Sequence, residues 1–214
     1  VFHHTVNRQR HIKVNPRSAE NRGFTSSLTS FQSRLAWHCH FMQRLEAEAT
    51  MDEIAINPEL DELLNRQLDQ RKFIAWRDGK TGWPFFDACM RYLTATGWIN
   101  FRMRAMLQSV ASYTLWLPWQ ATGSHLANLF MDYEPGIHWS QVQMQSGVTG
   151  INSVRAYSVS KQSIDHDPDG DFIRQWVPEL AAVPTEHIHE PWLMSKTEQE
   201  QYNCRIDIDY PAPI

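Results

Sequence analysis

Arg102 and Arg104 stand two residues apart among Trp98, Phe101 and Met103, directly after the glycine turn at Gly97. Guanidinium groups beside aromatic faces at a helix start suit an anionic or planar ligand. Solvated arginines over a packed aromatic layer are the other reading of the same residues. Further on, Asp132 and Glu134 have the chemistry to pair with Arg102 or Arg104 and hold a guanidinium beside a ligand. Other candidates carry less. His3 and His4 have no further ligand at a useful spacing, so no metal site is expected. His38 and His40 lie two apart on a helical stretch, point to different sides and cannot chelate one ion. Cys39 between them needs a base from elsewhere to act as a nucleophile.

The elements that position these groups are helical. Gly79 and Gly82 break the chain, Pro84 opens a helix, and Phe85, Phe86, Cys89, Met90 and Leu93 form one apolar stripe closed by Gly97. A second helix is expected from Asn100 toward Leu117, stopped by Pro118, and another over 124–131. Before them, a helix ends ahead of Pro16 and a polar loop covers 15–24. Ser26 or Ser27 then caps a helix whose buried stripe is Leu28, Phe31, Leu35, His38 or Cys39, and Met42. An acidic loop covers 46–56. Asn57-Pro58-Glu59 starts a helix with Leu60, Leu63, Leu64 and Leu68 inside, and Phe73, Ile74 and Trp76 lead on to the glycine turn. From Asp132 to Gly170 apolar periodicity vanishes, which predicts one long, ordered, ligand-lining loop. Within it Asp165, Asp167 and Asp169 lack the glycine and glutamate of a calcium loop and are expected to cap a helix over 172–176. Ser195 to Glu198 forms a capping box, and 205–214 reads as an extended tail.

Composition sets bounds. The chain has 214 residues, 42% of them hydrophobic, a formal net charge of −4, nine tryptophans and three scattered cysteines (Cys39, Cys89, Cys204). That is enough for one helical domain, expected over 1–214. The charge argues against nonspecific nucleic-acid binding through total charge, leaving a local basic groove open. The cysteines suit reduced thiols of a cytoplasmic protein, and no apolar run is long enough to span a bilayer.

Three motifs carry a resemblance. GKTGWPFFDACMRYLTATGWINFRMR, DHDPDGDFIRQWVPEL and HEPW followed by DYPAPI occur in that order. They resemble the C-terminal, helical FAD-binding domain of the photolyase/cryptochrome family, and the likeness runs from about Arg34 to the end. The resemblance implies an all-α fold with long ordered loops, without the family's N-terminal α/β antenna domain. It implies FAD as cofactor, contacted by Phe31, Arg34, His38, Phe41, Phe101, Arg104, Asp132, Glu134 and His138, with Asp132 holding Arg104 and His138 near flavin N5. Trp37, Trp98, Arg102 and Met144 fall on positions facing a flipped base, and Trp37, Trp98 and Trp119 on the aromatic positions of electron transfer.

The pattern also departs from the family. Arg34 stands for a substrate-contacting glutamate, Phe101 for an asparagine, Val142 for the flavin-proximal tryptophan and Met144 for a substrate-facing one. The TS-x-LS phosphate cradle is imitated by 25–29, too close to Trp37 to serve, which weakens the expected grip on FAD. Three readings follow. One is a light-driven electron donor to a pyrimidine lesion in DNA, a deoxyribodipyrimidine photo-lyase. Another is a cryptochrome-like photoreceptor without repair. The third is a helical subunit that has lost tight FAD binding and works with a partner chain supplying the N-terminal part.

Overall fold

The computed structural model describes every residue except 17, 19, 20, 22, 23, 152, 153 and 155. Half of the loop expected over 15–24 therefore lies outside the described residues, and its last residue, Phe24, opens a helix. The chain divides into two compact units, residues 1–50 and 51–214. Secondary structure is helical throughout, with one isolated bridge between Ile206 and Tyr210 and no strand among the described residues. This is the all-α architecture expected from the sequence.

The first unit is a helical pair, α1 (Phe2–Val14) and α2 (Phe24–Ala47). They meet through Gln9 Nε2 to Thr29 Oγ1 (3.5 Å) and Gln32 Nε2 to Thr5 Oγ1 (3.3 Å), with Ile12 and Thr5 buried. Helix α2 corrects two expectations. It begins at Phe24, so Ser26 and Ser27 lie inside it rather than at its cap, and none of its residues is buried. The stripe through Phe31, Leu35 and Met42 has helical spacing, but this unit has too few neighbouring side chains to cover it.

The second unit holds the core. Helix α3 (Pro58–Leu64) starts as expected, with Asn57 Oδ1 accepting from the Leu60 amide. It ends early at Asn65, in the left-handed conformation, and leaves Leu63 and Leu68 exposed, against the buried stripe expected. Helix α4 (Gln70–Arg77) leads to Gly79 and Gly82, both at positive φ. A Cβ on Gly82 would fall against the backbone of Ala212, so only glycine lets the C-terminal segment lie there. Helix α5 (Pro84–Thr96) is the centre: Phe85, Phe86, Cys89, Met90 and Leu93 are all buried, and Gly97 closes it at φ 72°. Each such burial is worth about 1.5–3 kcal/mol.

Helix α6 (Phe101–Ser109), capped by Asn100, runs into a π-helical segment, Val110–Thr114. There the Leu115 amide bonds Val110 C=O at 2.9 Å. Trp116 follows at φ 60°, a conformation a bulky side chain adopts only under constraint; the Arg66 guanidinium lies 4.9 Å from its ring. Helix α7 (Trp119–Leu129) begins at Trp119, earlier than expected.

The long loop expected over 132–170 is overturned. It contains helix α8 (Pro135–Ser146) and helix α9 (Val159–His166). Helix α8 escaped detection because its buried side is polar: His138, Ser140, Gln143 and Ser146 are inside beside Trp139 and Val142, so no apolar stripe marks it. Gln143 replaces hydrophobic contact with hydrogen bonds, donating to Met51 C=O (2.6 Å) and Ile54 C=O (3.0 Å) and accepting from the Ile56 amide (2.7 Å). Asp167 does cap the next helix, α10 (Asp171–Trp176), accepting from the Phe172 and Ile173 amides.

After α11 (Thr185–Ile188) comes α12 (Lys196–Gln201), which carries the expected capping box between Ser195 and Glu198. The segment 205–214, expected as an extended tail, forms a turn bridged between Ile206 and Tyr210 before its last four residues, and it packs on the core. Tyr210 is buried, its hydroxyl reaches Asp87, and the Ile214 amide donates to Thr81 C=O.

Candidate functional site

One cavity of about 350 Å³ opens between α6, α7 and α8. Its size is at the lower end for small-molecule sites, which run from about 300 to 1,000 Å³. Trp98 and Phe101 stand exposed at its rim, and the Arg104–Asp132 pair crosses its edge. Phe130 and Ile137 line the wall, and Gln108 and His138 are its most buried polar members.

Each of these groups is placed by local chemistry. Gly97 turns the chain so that Trp98 and Ile99 precede the Asn100 cap, whose Oδ1 accepts from the Met103 amide. Arg104, one turn in, donates through Nε to Ile99 C=O (2.8 Å) and through Nη2 to Asp132 (2.9 Å). Its guanidinium lies 4.2 Å from the Phe130 ring centre. The arginine–aspartate pairing expected from the sequence is present. Glu134 does something else: its carboxylate accepts from the Gly136 and Ile137 amides and caps α8. Arg102 is exposed and, like Met144, does not line the cavity.

His138 is buried, and its Nε2 lies 2.9 Å from Gly123 C=O. A carbonyl only accepts, so Nε2 carries the proton. Burial pushes the pKa down to about 4, with Arg104 adding to the effect and the Gly123 bond opposing it. The ring is therefore neutral at pH 7 and its Nδ1 bears no proton. Tyr133, Phe130 and Trp139 surround it edge-on at 4.9–5.8 Å.

Trp119 is fully buried and lies outside the cavity lining. Its ring meets Trp139 edge-on at 6.1 Å, and its Nε1 donates to Asp61 at 3.1 Å. Trp139 in turn donates to the Tyr133 hydroxyl at 3.1 Å, and Tyr133 lines the cavity. In the first unit, Phe31, Arg34, Trp37 and His38 are exposed on α2 and Phe41 is half-buried; Trp37 packs against His40 and Phe41 at 5.7 and 5.8 Å.

Tyr133, Ile137 and Val142, within the stretch expected to line a ligand, do line the cavity, whereas Gln108, Phe130, Gln141 and Gln145 were missed from the sequence. The three glutamines lie on α6 and α8, helices without a simple apolar pattern. Only the run of amide and hydroxyl side chains, Gln108 and Ser112 against Gln141, Gln145 and Ser146 at helical spacing, hinted at a shared polar interior. No group of three metal-ligating side chains occurs among the described residues, and no described helix is long and apolar enough to cross a membrane.

Residues 31–214 match the family model described as the FAD binding domain of DNA photolyase. The chain belongs to the photolyase/cryptochrome family, as its FAD-binding domain. It is 34% identical over 190 residues, 88% of its length, to a deoxyribodipyrimidine photo-lyase of Alkalihalophilus pseudofirmus, and covers 40% of that protein. It is 35% identical over 147 residues to a cryptochrome DASH of Gloeobacter violaceus, covering 68% of this chain and 29% of the relative. Its fold superposes on a Synechocystis cryptochrome with a TM-score of 0.80 at 27% identity, over 97% of this chain and 42% of that one. The chain thus spans less than half the length of each of these family members.

The family's cofactor is FAD, and the cavity fits part of it. Aromatic walls, a neutral histidine and two buried amide oxygens without a partner, those of Gln108 and Gln141, suit a flat, uncharged, hydrogen-bonding ring system. A pyrophosphate does not belong in the same space. Among the described lining residues Arg104 is the one cationic side chain, and two of its three nitrogens are engaged.

Proposed function

We propose that this domain belongs to a light-driven DNA-repair flavoprotein whose flavin ring occupies the cavity beside Trp98, Arg104 and His138. The observation that carries the reading is that cavity: aromatic at the rim, crossed by the Arg104–Asp132 pair, and neutral within. FAD, when bound, supplies light absorption and electron donation to a flipped pyrimidine lesion. The chain's own residues do the rest. Trp98, exposed at the rim, offers a flat face on which an extruded base can stack. Arg104, oriented by Ile99 C=O and Asp132, holds a positive edge beside the ring. His138 stays neutral at physiological pH, so it can accept a hydrogen bond but adds no charge.

Trp119 has a place in this reading. Tyr133, Trp139 and Trp119 form an unbroken sequence of aromatic contacts from the cavity wall to Asp61. Such rings can pass an electron toward the cavity, and the Asp61 carboxylate is placed to take the Nε1 proton that an oxidised Trp119 releases. This supports electron supply by a route that Val142 does not interrupt. The roles of Phe31, Arg34, Trp37, His38 and Phe41 rest on the family resemblance alone. So does any partner chain that would hold the phosphate half of FAD.

A second reading, a photoreceptor without repair, is favoured by Phe101 and Met144: the first puts a hydrocarbon at the rim where the family has an amide, and the second lies outside the cavity. Two measurements separate the readings. The first is the visible absorption of the purified protein with and without FAD. The second is light-dependent loss of pyrimidine dimers from single- and double-stranded DNA. Flavin absorption with repair supports the first reading, flavin absorption without repair the second. A colourless protein that takes up no FAD defeats both.

A further inference from the structure

Beneath the cavity, four buried side chains exchange hydrogen bonds in a way that leaves one atom over. Gln108 is 2% exposed, and its Nε2 lies 3.0 Å from Ser112 Oγ, 2.9 Å from Thr122 Oγ1 and 3.1 Å from Ser146 Oγ. Each hydroxyl has a single proton, and each proton is placed elsewhere. Ser146 donates to Val142 C=O at 2.7 Å, Ser112 to Ser146 Oγ at 2.9 Å, and Thr122 to Trp119 C=O at 3.2 Å, with Pro118 C=O at 3.4 Å. All three hydroxyls therefore meet Gln108 as acceptors, and only the NH₂ end of the amide can face them.

That accounting fixes which way the amide points. Its carbonyl oxygen, Oε1, is the end left over: buried, and without a partner. Ser112, Thr122 and Ser146 do not line the cavity, whereas Gln108 does. A buried amide oxygen without a donor is costly; of the lining glutamines, both Gln108 and Gln141 carry one, and Gln108 is the more deeply buried. His138 adds a second acceptor of the same kind. With Nε2–H committed to Gly123 C=O and the ring neutral, its Nδ1 offers a lone pair only. The two best-buried polar groups of the lining, at 2% and 8% exposure, thus present lone pairs and no protons.

We infer that the inner end of the cavity is a recognition site for an N–H edge of a neutral heteroaromatic ring, with Gln108 Oε1 as the accepting atom. This rests on the flavin reading and deepens it. It makes Gln108 a positioning residue that orients the ring by a hydrogen bond, and it disfavours anions and rings that present only acceptors along that edge. The three hydroxyls act through Gln108 by holding its amide in one orientation.

The test compares wild type with Gln108→Met, which keeps the bulk and loses the acceptor, by fluorescence titration with oxidised FAD and anaerobically with reduced FAD. The expected result is about tenfold weaker binding of the oxidation state whose N–H meets Oε1, since a buried donor is left unpaired. Should only the reduced form be affected, the two-electron midpoint potential falls by about 30 mV. Binding of both forms within twofold of wild type, in a variant with a native circular-dichroism spectrum, overturns the inference. A second readout assigns the atom: with ¹³C-labelled glutamine amides, FAD addition should move one glutamine carbonyl band of the wild type to lower infrared frequency, and that shift should be absent from Gln108→Met, which separates Gln108 from Gln141, the other lining glutamine whose Oε1 has no partner. A spectrum unchanged by bound FAD also overturns the inference while leaving the flavin reading intact. Failure of wild type to bind FAD in either state defeats both.

Discussion

Tyr210→Phe should weaken the fold by an amount that depends on pH. Asp87 lies fully buried and accepts four hydrogen bonds: from the Thr81 amide (2.8 Å), Thr81 Oγ1 (2.6 Å), the Gly82 amide (3.1 Å) and the Tyr210 hydroxyl (2.6 Å). Burial dominates and raises its pKa from 3.8 to about 6, with the hydrogen bonds from Thr81 and Tyr210 pulling the other way. At about 1.4 kcal/mol per unit, that rise corresponds to roughly 3 kcal/mol. For a carboxyl raised on folding, this contribution is present below pH 3.8 and is lost as pH rises through about 6. Removing the tyrosine hydroxyl strips a donor from the ionised form and lifts the folded pKa further, so the variant loses more as pH rises. A hydrogen bond to a charged acceptor is worth about 1.5–3 kcal/mol and one between neutral groups about 0.5–1.5. The expected destabilisation is therefore about 2 kcal/mol at pH 8 and about 1 kcal/mol at pH 5. Urea denaturation followed by tryptophan fluorescence at both values measures it, and the His138 contribution cancels because both proteins share it. Equal losses at the two pH values, or a larger loss at pH 5, would refute the reasoning.

Four further outcomes are expected. His138 has a depressed folded pKa of about 4, so its contribution to stability is lost as pH falls from 6.5 toward 4; His138→Gln should flatten the acid limb of the stability profile, and an unchanged limb contradicts a buried neutral ring. Arg104→Ala should weaken FAD binding about tenfold, mainly through the lost contact with Phe130 and Ile99 C=O, because Asp132 is half exposed and is rehydrated cheaply; unaltered affinity would displace the proposed pocket. Gly123→Ala puts a Cβ 2.5 Å from Trp139 Cζ3 and 3.0 Å from Val142 Cγ1 and should cost about 1–3 kcal/mol on thermal unfolding; a wild-type melting temperature would contradict the tight α7–α8 contact. Trp139→Phe should slow photoreduction of bound FAD several-fold and suppress the tryptophan-radical signal in transient absorption; wild-type behaviour would remove Trp139 and Trp119 from the route.

The parts of this domain that were readable from sequence are those where burial is apolar and ends are punctuated. Helix α5 shows both, with Pro84 and Gly97 at its limits and a stripe of large hydrophobics between them. The Arg104–Asp132 pair was readable because a motif named it. Helix α8 shows why the rest was hidden. Its caps, Glu134 with Pro135 and Gly147, are ordinary, but it buries serine, glutamine and histidine, whose partners come from Met51, Ile54 and Gly123. Periodicity detects water avoidance, and these residues avoid water only because distant backbone groups replace it. Gln108 is hidden for the same reason: its role depends on where three hydroxyl protons go. On α2 the error ran the other way, since apolar spacing was present and burial was not.

The π-helical segment at Val110–Thr114 bears on how this domain tolerates changes in length. A single π turn holds one more residue than the α turn it replaces, so this segment, directly after α6, is where a residue is stored out of register. Deleting one codon here would let the backbone tighten to ordinary α spacing and would carry the shift into Leu115–Pro118, ahead of α7. The same deletion inside α5 would turn its whole buried face toward water. The π turn is therefore where this stretch can lose a residue with least disturbance to the core. The residue most exposed to that loss is Trp116, whose positive φ depends on where the turn ends.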